Sequence, residues 1–433
     1  VTERTPAPPA GRAPVSTDQL DGLIAVLDLV RRGRARTRPE LARLSGLGRG
    51  AVTQRVTQLL DGGLLMEREL GRSTGGRPPR ELSVRAEAGL VLVSPMGATH
   101  IAAGVTDLTG RLLDWVVEPA DIAAGPDRTL GRVEQLFDDL LGRDTVPRAP
   151  VYGIGVGVPG PVEFATGTPV NPPIMPGWNG YQVRSRLAKR FAVPVWVDND
   201  VNLNALGELR TGEAQDHQVV IYVKIGTGIG AGLISDGRLH RGASGAAGDI
   251  GHVTVDAASG ILCRCGNIGC LEALAGGAAL SRDGSRAAEE GRSRYLQDAR
   301  ESGRTIDAAE VALAAQHGDS VAVELLNRSG RLVGETLAAL VNFFNPSLIL
   351  LGGGVAASGD LLLASVRETV YRRSLPLATR DLRILRSTLV PDSALPGAAH
   401  MVLDELFSRQ RLGRWLPAGS PAGRPEIADE PAA

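Results

Sequence analysis

The chain has 433 residues, 43% of them hydrophobic and 22% charged, with a formal net charge of -1. That length and balance allow two or three packed domains and leave no need for disulfides to hold them together. No apolar run is long enough to cross a bilayer, since the stretch LVNFFNPSLILLGGGV is interrupted by Asn342, Asn345, Pro346 and glycines; a cytoplasmic protein without membrane contact is expected.

Residues 1–15, VTERTPAPPAGRAPV, lack the apolar centre of a signal peptide and read as a disordered leader. Lys189 and Lys224 are the only lysines, so arginine carries almost all positive charge. From Arg31 to Arg80 there are twelve arginines against four acids, a basic block on a neutral chain that points to a nucleic-acid module fused to something else.

Within residues 16–85, LDGLIAVLDLV places apolar residues at helical spacing and Arg31-Arg32-Gly33 closes that helix. Thr37-Arg38-Pro39-Glu40 is a capping box opening a short helix with Leu41 and Leu44 inward. After the turn Ser45-Gly46-Leu47-Gly48, a third helix from Arg49 to Leu60 buries Val52, Val56, Leu59 and Leu60. Arg49, Thr53, Gln54, Thr57 and Gln58 are left outside, donors and acceptors suited to base edges and phosphates. Two strands, LLMEREL and RELSV, flank the basic loop GRSTGGRPP with Arg72 and Arg77. The order helix-helix-helix-hairpin resembles a winged helix-turn-helix, with a palindromic double-stranded DNA operator as the partner; a helical bundle with an arginine-rich solvated face is the bland alternative.

From Gly89 onward strand-like and helix-like segments alternate, which makes the class α/β. GLVLVSPMGATHIAAGVTDLTGRLL alternates like a hairpin around Pro95 to His100, a turn with the look of a phosphate-binding loop. Gly226-Thr227-Gly228-Ile229-Gly230 could pass for a dinucleotide fingerprint, but another strand-like run follows it and not a helix, so a hairpin tip with bare N–H groups is expected. Its plain alternative is a tight turn in which glycine only satisfies backbone geometry. All three cysteines, Cys263, Cys265 and Cys270, lie within eight residues with His252 upstream, and three thiolates and an imidazole complete a closed tetrahedral zinc site.

GDIGHVTVD and CRCGNIGCLEALA, with VDNDVNLNALGE and KIGTGIGAG before them, resemble the ROK family of repressors, open reading frames and sugar kinases. The resemblance implies a two-lobed actin-like (ribonuclease H-like) domain over residues 88–411. Lobe 1 would take about 88–200 plus the C-terminal helix and lobe 2 about 201–390, followed by a disordered tail over 412–433. The winged helix in front is similar to the family's repressor branch. The resemblance implies zinc on His252, Cys263, Cys265 and Cys270 and a sugar or aminosugar on Asn199, Asp200, Asp249, His252 and Glu272. Asp200 matches the kinases' base, and Asp249 stands where the family has glutamate. Gly97, Thr99, Gly226, Thr227 and Gly228 fall on the phosphate-binding turns. There the kinases' ordering aspartate is replaced by Pro95, their second glycine by Ala98 and a lysine-like position by His100. The implied protein is a sugar-responsive DNA-binding regulator, a repressor acting as a dimer or tetramer, with a vestigial base and no phosphoryl transfer. An active ATP-dependent sugar kinase carrying a DNA-binding arm is the competing reading; a constitutive DNA-binding protein that has lost its ligand is the third.

Overall fold

The computed structural model describes residues 17–69, 80–357, 359–389 and 393–429. The leader expected over 1–15, and Arg72 and Arg77, lie outside them.

The N-terminal unit is three helices and a hairpin: α1 (Thr17–Arg31), α2 (Arg38–Ser45), α3 (Arg49–Asp61) and the antiparallel pair β1 (Leu65–Glu69) and β2 (Arg80–Val84). The capping box forms, with the Thr37 hydroxyl accepting from the Glu40 amide at 3.4 Å and the Glu40 carboxylate accepting from the Thr37 amide at 3.1 Å. Leu23, Val26, Leu27, Leu41, Val52, Val56 and Leu59 form its core. Leu44, expected inward, is 44% exposed, while Leu47 past the turn packs against the core. A helix of eight residues presents little more than one inward position per turn, and here Leu41 takes it.

Two five-stranded sheets follow. Strands β3 (Leu90–Pro95), β4 (His100–Asp107) and β5 (Leu112–Pro119) precede α4 (Pro126–Gly142) and β6 (Val151–Val158). A small ribbon of β7 (Val162–Glu163) and β8 (Thr168–Pro169), then α5 (Val183–Phe191) and β9 (Val195–Asn199), completes the first sheet, whose order is β5-β4-β3-β6-β9. Helix α6 (Asp200–Thr211) leads into β10 (Val220–Ile225), β11 (Ile229–Ser235) and β12 (Arg238–His240). The helical run α7 (Leu271–Ala275), α8 (Gly277–Glu289), α9 (Arg294–Glu301), α10 (Ala308–Gln316) and α11 (Ser320–Phe344) then leads to β13 (Leu348–Gly352). Helices α12 (Gly354–Ala357), α13 (Asp360–Arg373) and α14 (Pro376–Thr379) precede β14 (Arg383–Arg386), and the second sheet has the order β12-β11-β10-β13-β14. In both sheets three antiparallel strands adjoin two parallel ones, so the lobes repeat one topology. Among the described residues no helix is long and apolar enough to cross a membrane.

Helix α15 (Ala394–Leu406) returns to the first sheet and lies along α6. The contact is backbone to backbone: a Cβ on Gly207 would stand 1.8 Å from the Ser393 carbonyl oxygen, and one on Gly397 would stand 1.8 Å from that of Leu203. The Ser393 hydroxyl adds a hydrogen bond to Asn204 Oδ1 at 2.6 Å.

The disordered tail expected over 412–433 is corrected by the structure up to residue 429. Helix α16 (Arg409–Trp415) and the turns Leu416–Ala418 and Pro425–Ala428 pack onto the molecule. Leu412, Trp415, Leu416, Ile427 and Ala428 are buried in one hydrophobic cluster with Leu23, Leu27 and Phe407. Leu412, Trp415 and Leu416 recur at helical spacing, and they are buried between α1, far away in sequence, and the nearby end of α15. The Trp415 indole N–H donates to the Leu406 carbonyl at 2.9 Å and its ring meets Tyr152 edge-on at 5.7 Å. Replacing Trp415 by Ala is expected to destabilise the protein by about 3–5 kcal/mol, the usual cost of emptying a buried tryptophan site. Denaturant titration checks it: an unchanged midpoint would mean the tail is a passive passenger.

Candidate functional site

The lobes enclose a cleft of about 800 Å³. Asn199, Asp200, Asp249, His252 and Glu272 line it together with Gly97, Thr99, Gly226, Thr227 and Gly228, so residues far apart in sequence converge on one cavity.

The local reasons can be read residue by residue. Asn199 ends β9 and caps α6, its Oδ1 accepting from the amides of Val201 at 2.8 Å and Asn202 at 3.4 Å. Its side-chain amide donates to the Gly160 carbonyl at 3.0 Å, which leaves one amide hydrogen for a ligand. Asp200, the first residue of α6, is therefore set rigidly at the cleft. Gly226, Thr227 and Gly228 form the tip of the β10–β11 hairpin, with Ile225 paired to Ile229, and no dinucleotide-type helix follows. The Gly226 and Thr227 carbonyls accept from the amides of Gly277 and Ala278 at the start of α8. Gly228 admits a close neighbour, since a Cβ there would stand 2.4 Å from Glu272 Oε2. Across the cleft, Gly97 lies under the His100 ring, 2.3 Å from its Cε1 to a would-be Cβ. Pro95 is buried at the end of β3 opposite Gly157, and the turn shows the cleft Gly97 to His100 instead.

The electrostatics of the cleft hold a feature that sequence reasoning missed. Lys224 of β10 donates from Nζ to Asp200 Oδ2 at 2.7 Å, and both side chains are largely buried, 19% and 6% exposed. Beside them Arg241, following β12, donates from Nε to Asp198 Oδ2 at 2.7 Å and stacks on Phe164 at 3.8 Å. Asp198 accepts also from Asn202 Nδ2 at 2.8 Å and from the Asn199 amide at 2.7 Å. These ion pairs tie the second lobe to the end of β9. Their only sequence signal is that Lys224 is one of two lysines in a chain whose other basic residues are arginines and histidines.

His252, Cys263, Cys265 and Cys270 bring one nitrogen and three sulfurs within 4.8 Å of one another. A tetrahedral zinc ion with bonds of about 2.3 Å to sulfur and 2.0–2.1 Å to nitrogen separates its ligands by about 3.5–3.8 Å. Cys265 Sγ and Cys270 Sγ are 3.7 Å apart, and Cys263 Sγ and His252 Nδ1 are 3.5 Å apart, so the donor set fits such an ion. Burial pushes the Cys263 thiol up to about 12 and Cys270 upward; at Cys265 burial is outweighed by the Asn267 amide and the neighbouring thiols, and that thiol is lowered. Metal entry must accordingly displace protons. With Nδ1 turned to the sulfurs, His252 Nε2 lies 3.9 Å from Asp249 Oδ1. Glu272, two residues past Cys270, places Oε1 3.5 Å from Cys263 Sγ, so the cluster and the cleft share a wall.

Residues 94–405 match the model of the ROK family. A xylose repressor of Caldicellulosiruptor bescii is 31% identical over 390 residues, covering 89% of this chain and 96% of that protein. A solved ROK family transcriptional regulator, a homolog of the E. coli MLC protein, superposes with a TM-score of 0.78 at 24% identity, over 96% of this chain and 100% of that one, a likeness of fold. A ROK family glucokinase from Streptomyces griseus, solved with glucose and AMPPNP, gives 0.62 at 31% identity over 72% of this chain and 99% of its own.

Replacing Cys265 by Ser should cut the zinc content from about one equivalent per chain to a small fraction, because a three-ligand remnant loses the closed geometry. Elemental analysis of protein purified without chelators reads this directly; a zinc-free wild type would count against the site.

Proposed function

The chain belongs to the ROK family, and on that premise we propose that it is a DNA-binding transcriptional regulator, a repressor, whose cleft binds a sugar or aminosugar without phosphorylating it. It acts in the cytoplasm as a homo-oligomer, a dimer or a tetramer, with one structural zinc per chain. The observation that carries the reading is the face of α3: Arg49, Thr53, Gln54 and Thr57 are all exposed on a helix whose other side is buried in a helix-helix-helix-hairpin unit. Such a helix fits the major groove, and the hairpin loop with Arg72 and Arg77 would reach the flanking backbone. Two copies about 34 Å apart would address a palindromic site. The whole-length likeness to a xylose repressor supports the same reading.

Two features favour binding without transfer. A sugar needs a ring of hydrogen-bonding groups, and Asn199, Asp200, Asp249, His252 and Glu272 supply it. A kinase needs in addition a carboxylate free to take the hydroxyl proton and an ordered, charge-neutralised triphosphate. Here the ammonium of Lys224 lies against Asp200 and already occupies its Oδ2, so that oxygen is not free to receive the hydroxyl proton. Pro95 supplies no carboxylate, and the Ala98 methyl stands where phosphate oxygens would approach the backbone. Asp200 then serves as a fixed acceptor for a ligand hydroxyl.

DNA fragments captured by the full chain from a random pool supply the operator probe. D-glucose, D-xylose and N-acetyl-D-glucosamine are then titrated calorimetrically and tested for release of that DNA. Saturable binding of one of them with no ATP consumption is expected, and sugar-stimulated turnover at enzyme-like rates would replace the reading with that of a kinase. Asp200→Asn should weaken sugar binding about tenfold or more, the worth of a hydrogen bond to a charged acceptor. Deleting residues 1–84 should abolish capture of DNA; retained affinity would refute the assignment of α3.

A further inference from the structure

The N-terminal unit is joined to the lobes by more than apolar packing. At the last turn of α1, Arg31 donates from Nη2 to Asp404 Oδ1 of α15 at 2.5 Å, and Arg210 of α6 donates to Asp404 Oδ2 at 2.7 Å. The same Nη2 lies 3.2 Å from Asp28 Oδ1, and the Arg31 guanidinium lies over the Phe407 ring at 5.3 Å. Arg31 is 6% exposed. His400, one turn before Asp404 on α15, is partly buried in the same cluster. Burial opposes charge on Asp404, but Arg31 and Arg210 outweigh it and hold the carboxyl well below the usual carboxylate range. The junction is incompletely satisfied, since Arg31 Nε is buried with no hydrogen-bond partner among the described residues.

One helix connects this junction to the cleft. α6 begins at Asp200 and carries Arg210 ten residues later, about 15 Å along its axis. It cannot slide on α15, because Gly207 and Gly397 bring the two backbones into contact. Its first turn touches the second lobe, where a Cβ on Gly232 would stand 2.8 Å from the Val201 carbonyl oxygen, and Asp200 bonds Lys224. A ligand hydroxyl that draws the Asp200 carboxylate from Lys224 therefore acts on the same rigid body that grips Arg31.

We propose that Asp404 is the coupling point between cleft and N-terminal unit: α6 and α15 move as one body, and that movement engages or releases Arg31. The inference rests on the reading of the protein as a ligand-responsive regulator. A buried guanidinium is either paired or driven out to water, so the junction has two states and little between them. Coupling is reciprocal, so a disturbance at Arg31 must be felt at the cleft even with no ligand present.

Hydrogen–deuterium exchange on the full chain tests this without any sugar. In Arg31→Met, residues 17–31 should exchange about tenfold faster, within the usual range of coupling strengths, and residues 199–206 at the cleft should speed up with them. α4, on the far side of the first lobe's sheet, should not change. Loosening of 17–31 with 199–206 unmoved would overturn the proposal, and so would equal loosening of α4, which would mean general destabilisation. Arg210→Met approaches from the other side, leaves the Arg31–Asp404 pair in place, and should move the same two segments; if it moves neither, the proposal also fails. Calorimetric titration of the wild type with D-glucose, D-xylose and N-acetyl-D-glucosamine is read separately. Absence of saturation by all three would overturn the sugar reading, with the exchange pattern still deciding the coupling.

Discussion

Two helices that touch through their backbones set the terms for everything else in this protein. Because α6 and α15 meet at Gly207 and Gly397 with no room for a Cβ, neither can shift without the other. α6 starts at the cleft, α15 lies on the first sheet, and Asp404 of α15 joins Arg210 near the end of α6 to Arg31 of the N-terminal unit. Interiors at crystal-like density do not absorb displacement by small compressions, so a rigid pair in this position conveys motion instead of dissipating it.

The cleft is organised by pairs of opposite charge and not by isolated groups. Lys224 meets Asp200, Arg241 meets Asp198, and both arginine and lysine come from the second lobe while both acids lie where the first lobe passes into α6. Buried pairs of this kind contribute little net stability but are costly to break on one side only. They specify how the lobes sit when the cleft is empty, and a polar ligand has to compete with them. The cysteine cluster does the complementary job on the opposite wall, where it fixes the start of α7 and with it Glu272.

What could be read from the sequence was what is local. The Thr37–Glu40 capping box, the β10–β11 hairpin around Gly226 to Gly228, and the gathering of all cysteines beside His252 are each local in sequence, the longest running only from His252 to Cys270, and in each the residues come together as expected. The family resemblance extended this to residues that only the fold unites, such as Asn199 and Glu272 on one cavity. The pairs Lys224–Asp200, Arg241–Asp198 and Arg31–Asp404 were invisible because their members are 24, 43 and 373 positions apart, and no periodicity marks either partner. The tail was misread for a related reason: its apolar residues are few, and they are buried only because segments distant in sequence, α1 and Tyr152 among them, come to meet them.

That meeting of α1 with α16 has a bearing on how the protein is made. Leu416 sits so near Gly62 that a Cβ there would stand 2.9 Å from its Cδ1, and Leu20 sits likewise against Gly413. The three-helix unit precedes both lobes in the chain and α16, against which it docks, follows them. During synthesis the unit is therefore carried undocked while both lobes elongate, and the joint can form only once α16 has been made.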